Sequence, residues 1–264
     1  MDGERGFSQL QLDRYSRQIR LDGFGLDAQR RLRGSHVAIS RGGGVGGTIA
    51  IHLARAGIGR LTIAHGGTLQ PEYLNRMPLI LNSDIGRPCV DAFAEMLGRV
   101  NPDVDVRVVG QYVSDANVQS VVGGADLIAD GAPLFEERYT LNRAAVAARV
   151  PLVSGAMYDT EGYVTTILPG VTPCLACIYP KKPDYWNDVG VFPAIGPGPT
   201  IVGAMAAMEA IKVLTGFGEP LTSRLWFFDL RTNTNRLLKV NRNPECPVCG
   251  HLSVPIDQRS RLHS

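Results

Sequence analysis

The chain of 264 residues has no run of about 18 consecutive apolar residues, the length that a membrane-spanning helix needs. Residues 1–20 mix charged and polar side chains and lack the apolar centre of a signal peptide. The formal net charge is only +2, too small to indicate nucleic acid or an anionic membrane as the main partner. We therefore expect a cytoplasmic protein with no membrane and no nucleic acid among its partners.

Cysteine is scarce, yet four of the five cysteines form two CxxC pairs. Cys174 pairs with Cys177, and Cys246 pairs with Cys249. Together they supply four thiolates, a complete tetrahedral shell for a structural zinc ion. Such a zinc would join the C-terminal segment to the domain. Two redox-active dithiols are the alternative, although neither pair stands at the start of a helix after a strand.

Short apolar runs alternate with helical patterns through the first part of the chain. Strands are predicted at residues 37–39, 61–64, 105–109, 127–129 and 152–154, with helices between them, the first over 48–56. One helix is predicted before the first strand, over residues 10–32. This alternation predicts an α/β fold, a Rossmann-like doubly wound and mostly parallel sheet with helices on both faces.

Beyond residue 155 the pattern changes. Residues 162–168 alternate as antiparallel strands do, residues 180–199 are rich in Pro and Gly, and residues 201–214 form a buried helix. We predict a C-terminal antiparallel extension. The single domain would comprise a helical arm at 10–33, a nucleotide-binding-type half at 34–155, a zinc-clamped half at 156–251 and a frayed tail at 252–264.

A glycine-rich turn, RGGGVGG at residues 41–47, follows the first predicted strand and precedes a helix. Such a turn lets backbone N–H groups approach a phosphate at the helix N-terminus. The glycines also suit close packing of the helix on the strand. A dinucleotide site further requires an acid at the end of the second strand, about 20 residues on. His65 stands at that position.

Motifs along most of the chain follow the order typical of one enzyme group. Residues 10–251 resemble the ThiF/MoeB/HesA family of adenylyltransferases, which are similar to the activating enzymes of ubiquitin-like modifiers. The motifs are RYSRQI at 14–19, GFG at 23–25, AGIGRL at 56–61, DIGRP at 84–88, PLVSGA at 151–156, MEAIK at 208–212 and RNPECPVCG at 242–250.

The resemblance implies that ATP and Mg²⁺ are bound and that a carboxylate is adenylated, usually the C-terminal glycine of a small ubiquitin-like protein. It places Arg76 beside the nucleotide and Arg17 in the site of a neighbouring protomer, so both are candidate catalytic residues. Surface or interface ion pairs are the alternative for these two arginines. The candidate cofactor-binding residues are Arg41, Gly42, Gly43, Gly44, Gly46, His65, Arg76 and Cys89.

Several residues that the resemblance assigns to ATP and Mg²⁺ are replaced, so ATP and Mg²⁺ are doubtful cofactors. In chain order, the replacements are Arg41 for a loop glycine, His65 for the ribose-binding aspartate, Gly67 for a second acid, Tyr73 for an asparagine, Cys89 for the phosphate-binding lysine, Pro133 for the magnesium-organising aspartate and Trp186 for the catalytic cysteine. His65 can equally be a strand-end histidine, and Cys89 a small buried hydrophobe.

Three functions remain open at this point. The first is a repurposed biosynthetic enzyme that acts on a carboxylate-bearing small molecule or a peptide. The second is a non-catalytic subunit that pairs with an active homologue and supplies Arg17 in trans. The third is an adenylyltransferase that activates a carboxylate with ATP and without a catalytic cysteine, on a small molecule, a peptide or a ubiquitin-like protein. We expect a homodimer or a heterodimer with a homologue.

Overall fold

Eight strands form one continuous sheet in the computed structural model, which describes residues 6–184 and 192–252. Their bounds are β1 His36–Ser40, β2 Arg60–Ala64, β3 Asp105–Val109, β4 Leu127–Asp130, β5 Leu152–Tyr158, β6 Glu161–Ile167, β7 Arg224–Asp229 and β8 Thr234–Lys239. The order across the sheet is β3-β2-β1-β4-β5-β6-β7-β8. The strands β1 to β5 are parallel, and β6, β7 and β8 extend the sheet in antiparallel pairs. The predicted fold class is confirmed.

Helices cover both faces of this sheet. They are α1 Gln9–Ile19, α2 Gly25–Gly34, α3 Gly44–Ala56, α4 Cys89–Val100, α5 Val118–Val122, α6 Phe135–Ala148, α7 Leu175–Ile178 and α8 Pro197–Thr215. One apolar core packs α3, α4 and α8 on one face, and a second packs α5, α6 and the cysteine segments on the other. Within the described residues, no helix is long and apolar enough to cross a membrane.

The N-terminal arm consists of two helices, whereas the sequence pattern predicted one helix over residues 10–32. A capping box starts α1, because the Ser8 hydroxyl accepts from the Gln11 amide at 3.2 Å and the Gln11 side chain accepts from the Ser8 amide at 3.0 Å. The helix ends before Gly23 and Gly25, whose φ angles are +78° and +64°. This left-handed backbone separates α1 from α2.

Three boundaries differ from the sequence prediction. The helix α3 starts at Gly44, inside the glycine-rich turn, and not at Thr48. Because proline suits the first turn of a helix, α8 starts at Pro197 and not at residue 201. The strand β5 continues to Tyr158 along β6, so the predicted boundary between residues 155 and 156 lies inside a strand. Trp186 and the predicted tail from residue 253 onward lie outside the described residues.

Candidate functional site

A cavity of about 510 Å³ opens at the carboxyl ends of β1, β2, β4 and β5. Arg41 follows β1, His65 follows β2, and residues 131–134 follow β4, and all of them line the cavity. The order of the strands reverses between β1 and β4, because β2 and β3 lie on one side of β1 and β4 lies on the other. Doubly wound sheets bind ligands at this switch point. We call this cavity the cleft.

The glycine-rich turn contributes Gly43, Gly44 and Val45 to the wall of the cleft. These residues form the N-terminus of α3, whose first amides have no partner within the helix. Gly42 and Gly46 are not among the lining residues and have a packing role. A Cβ at Gly42 would lie 2.3 Å from the Phe93 ring, and a Cβ at Gly46 would lie 1.9 Å from the Arg41 carbonyl oxygen.

His65 is only 4% exposed, and its ring contacts the edges or faces of Phe93 and Tyr112. Burial, with a smaller contribution from the charge of Arg41, lowers the pKa of His65 to about 4. The neutral ring accepts a hydrogen bond at Nδ1 from the Gly42 amide, at 2.9 Å. Its proton is therefore on Nε2, and the remaining ring edge carries only N–H and C–H groups. This edge cannot accept a hydrogen bond from a ribose hydroxyl.

Arg41 occupies a left-handed backbone position, with φ at +64°, where glycine is favoured. Its Nε donates to Oε2 of the buried Glu137 at 2.7 Å. The guanidinium lies over the Tyr112 ring, 3.5 Å from the ring centroid. Within residues 6–184 and 192–252, neither Nη group of Arg41 has a hydrogen-bond partner.

Tyr112 and Glu137 are site residues that the sequence analysis missed. Tyr112 lines the cleft, and Glu137 holds Arg41 from behind the wall. Burial raises the pKa of Glu137, and the charge of Arg41 partly offsets this effect. An arginine at a glycine position was the available signal, because a half-buried guanidinium needs an acid nearby.

Arg76 also lines the cleft, on the segment after the 3-10 helix Pro71–Tyr73. Its Nη1 donates to the Glu72 carbonyl oxygen at 2.6 Å and to Oδ1 of Asn75 at 2.9 Å. Glu72 is the one acidic residue among the described residues that line the cleft. Two arginines, Arg41 and Arg76, therefore line the cleft against one acid, although Arg41 is paired with Glu137 behind the wall.

Besides Gly42 and Gly46, two further predicted site residues lie outside the cleft. Cys89 begins α4, is fully buried, and donates its amide to the Gly67 carbonyl at 3.1 Å. Burial raises the pKa of its thiol. Arg17 is exposed on α1 and has no hydrogen bond or ion pair within the described part of its own chain. The cleft thus brings together Arg41, Gly43, Gly44, His65 and Arg76, whose roles stay predictions.

A buried polar network supports the floor of the cleft. Arg138 is fully buried and donates from Nε to Oδ2 of Asp130 at 3.1 Å. The same guanidinium also donates to the Ser154 and Tyr163 hydroxyls. Asp130, at the end of β4, accepts from the Ala132 amide at 3.0 Å. This network fixes residues 131–134 at the strand end.

The four cysteines of the CxxC pairs meet at a second site. Their Sγ atoms all lie within 4.8 Å of one another. The Cys174–Cys246 separation is 3.7 Å, the Cys177–Cys249 separation is 3.5 Å, and the Cys174–Cys177 separation is 4.0 Å. Tetrahedral zinc with Zn–S bonds of about 2.3 Å separates its sulfur ligands by about 3.8 Å. The cluster can therefore hold a metal ion, and the donor set fits zinc.

Backbone and side-chain bonds fix this cluster to the rest of the fold. Nη2 of Arg242 donates to the carbonyl oxygens of Cys249 and Leu252, both at 2.5 Å. Oδ1 of Asn142, on α6, accepts from the Leu175 amide at 2.9 Å. The site thus connects the C-terminal segment to α6 and α7.

The comparison with known proteins agrees with the fold and the motifs. The model of the ThiF family matches residues 15–248. The chain belongs to the ThiF family. It is 43% identical over 241 residues to the heterocyst protein HesA of Trichormus variabilis, which covers 91% of this chain and 90% of that protein. It is 36% identical over 249 residues to the molybdopterin-synthase adenylyltransferase of Escherichia coli, with 92% and 98% of the two chains covered.

A solved structure of Escherichia coli MccB with ATP has the same fold, with a TM-score of 0.81 and 21% identity over 90% of this chain and 75% of MccB. At that identity the likeness concerns the fold alone. Membership in the ThiF family relates this chain to adenylyltransferases.

Proposed function

We propose that this ThiF-family chain is a biosynthetic enzyme whose cleft binds a carboxylate-bearing small molecule or peptide, and that it does not perform ordinary ATP–Mg²⁺ adenylation. The observation that carries this proposal is the chemistry of the wall after β2. There the family resemblance expects a ribose-binding carboxylate, and His65 presents a ring edge without an acceptor.

The other expected positions support the same proposal. Pro133 lines the cleft where the magnesium-organising aspartate is expected, and a proline side chain offers no oxygen. Cys89, at the position of the phosphate-binding lysine, is buried below the cleft wall. Since phosphoryl chemistry depends on positioning and charge stabilisation, these losses weaken ATP–Mg²⁺ as a substrate.

The groups that remain favour an anion of another kind. Arg41 and Arg76 line the cleft together with the N-terminus of α3, whose helix dipole attracts negative charge. A carboxylate can use these donors without a ribose contact and without a metal ion.

Native mass spectrometry of the purified protein, followed by denaturation, tests the proposal. We expect the released small molecules to include a carboxylate or a peptide and no adenine nucleotide. Release of stoichiometric ATP or AMP would contradict it. The molybdopterin-synthase adenylyltransferase of Escherichia coli, loaded with ATP and treated in the same way, is the positive control.

A second candidate is an adenylyltransferase that works without a catalytic cysteine. Glu72 favours it, because this carboxylate lines the cleft and could hold Mg²⁺ in place of the missing aspartate. MccB, which shares the fold, has been solved with ATP and, in another structure, with AMPCPP and MccA. In this case Glu72→Gln would abolish Mg²⁺-dependent ATP binding and leave metal-free binding unchanged.

We also propose that the metal of the four-cysteine cluster is a structural zinc ion, and that the protein works in the reducing cytoplasm. Free thiols at all five cysteines suit that compartment.

The exposed position of Arg17 supports a dimer or heterodimer in which α1 lies over the cleft of a homologous partner.

A further inference from the structure

We propose that the Arg41 guanidinium, held by Tyr112 and Glu137 in an arrangement that we call the anion clamp, receives an oxyanion of the bound ligand at the end of β1. This inference rests on the proposed function, because it assigns a substrate group to the same cleft. The ligand class is a molecule with a carboxylate or a phosphoryl group.

The backbone conformation at residue 41 supports the anion clamp. A φ of +64° disfavours any side chain that has a Cβ, and glycine would occupy the position without strain. An arginine persists in such a conformation when the surrounding structure holds it there. Strained residues of this kind concentrate at ligand-binding sites.

The way in which the guanidinium is held also supports the anion clamp. Oε2 of Glu137 accepts a hydrogen bond from Nε of Arg41 at 2.7 Å. The Tyr112 ring packs on one face of the guanidinium, with its centroid 3.5 Å from Cζ. The N–H groups of both Nη atoms can donate to a ligand, since no residue in the described ranges accepts a hydrogen bond from them. A planar guanidinium that is already held in this way loses little conformational entropy when it binds an oxyanion.

The members of the clamp differ in whether they line the cleft. Arg41 and Tyr112 line the cleft, whereas Glu137 lies behind them and does not line it. A ligand therefore meets the guanidinium before the carboxylate. The ring edge of His65 and the N-terminus of α3 lie on the same cleft and also offer donors. Apart from Glu72, the described wall therefore suits an acceptor-rich, anionic group.

Calorimetry with sodium succinate and sodium pyrophosphate tests the clamp, at ionic strength balanced with NaCl. The test variant is the double change Arg41→Gly with Glu137→Gln, because removing Arg41 alone would leave a buried unpaired carboxylate. The matched control is Arg60→Gln with Asp105→Asn, an exposed arginine–aspartate pair at the opposite end of the sheet.

We expect at least one anion to bind the wild-type protein and the control alike, and to bind the double variant about tenfold or more weakly, as loss of charged hydrogen bonds implies. Tighter succinate binding would assign the clamp to a carboxylate, and tighter pyrophosphate binding to a phosphoryl group. Equal affinities in wild type and double variant, or no binding of either anion to wild type, would overturn the clamp.

A second variant covers the case in which the double variant does not fold. Tyr112 is 42% exposed, so Tyr112→Ala should fold and should weaken the same anion several-fold by releasing the guanidinium. Unchanged binding in this variant would also count against the clamp. These experiments measure the binding of a simple anion and therefore test the clamp alone. The proposed function is tested separately, by whether the protein uses ATP–Mg²⁺.

Discussion

Two residues at strand ends, Arg41 and His65, give the cleft a different chemistry from the one that the family resemblance implies. Each stands where the family resemblance expects a different residue type, and each has its own support. Arg41 is held by Glu137 and Tyr112, and His65 is held by the Gly42 amide. His65 presents a donor where a nucleotide ribose needs an acceptor, and Arg41 places a charged side chain where a loop glycine is expected.

The neutral state of His65 gives a prediction for stability against pH. The folded-state pKa of about 4 lies below the ordinary value of 6.5, so the unfolded chain binds the proton more tightly. This contribution to stability is complete above pH 6.5 and is lost as the pH falls towards 4. Between pH 7 and pH 5 the loss should be about 2 kcal/mol.

His65→Asn should lack this part of the pH dependence, because the amide oxygen of asparagine can accept from Gly42 and does not titrate. Urea unfolding of both proteins at the two pH values measures the difference. The same loss in wild type and variant would show that His65 is not buried as a neutral ring.

At the scale of elements, the strands could be predicted because their apolar runs are short and regularly spaced. The arm was predicted as one helix because the spacing of its apolar residues continues through Gly23, although the left-handed backbone there ends α1. The anion clamp could not be predicted, since Arg41 and Glu137 are separated by 96 residues and meet only through the β1–β4 pairing. The four-cysteine cluster could be predicted, because the two cysteines of each CxxC pair are close in the sequence.

The glycine-rich turn gives a prediction for α3. Gly46→Ala should destabilise the fold by several kcal/mol, because its Cβ would lie 1.9 Å from the Arg41 carbonyl oxygen and would push α3 from β1. Gly98→Ala is the matched control within α4, where nothing lies within 4 Å of the added Cβ. It should stabilise the protein by about 1 kcal/mol. Similar melting temperatures for the two variants would contradict the close approach.

The helix α1 carries the prediction on assembly. We expect light scattering to show a dimer, alone or with a homologous partner. Arg17→Ala should then impair turnover in the assembled protein and leave folding intact, because a trans arginine stabilises transferred charge. A small change in dimer affinity with full activity would instead assign Arg17 to an interface ion pair. A stable monomer without a partner would exclude both functional versions.

At the scale of the whole molecule, the four-cysteine cluster fastens the C-terminal segment to the second apolar core. Metal analysis should find about one zinc per chain, and chelation should lower the melting temperature, since a structural zinc contributes to folding. Cys249→Ala should abolish zinc binding. Cys89→Ala is the control, because Cys89 is buried outside the cluster. Full stability after complete removal of zinc would refute the structural role.

We propose that this ThiF-family cleft does not serve ordinary ATP–Mg²⁺ adenylation. Titration calorimetry with ATP and Mg²⁺, combined with carboxylate-dependent pyrophosphate exchange, tests it most directly. The Escherichia coli molybdopterin-synthase adenylyltransferase serves as the active reference. The residues His65, Cys89 and Pro133 predict binding much weaker than that of the reference and no exchange. Micromolar affinity for ATP–Mg²⁺ with carboxylate-dependent exchange would contradict the account.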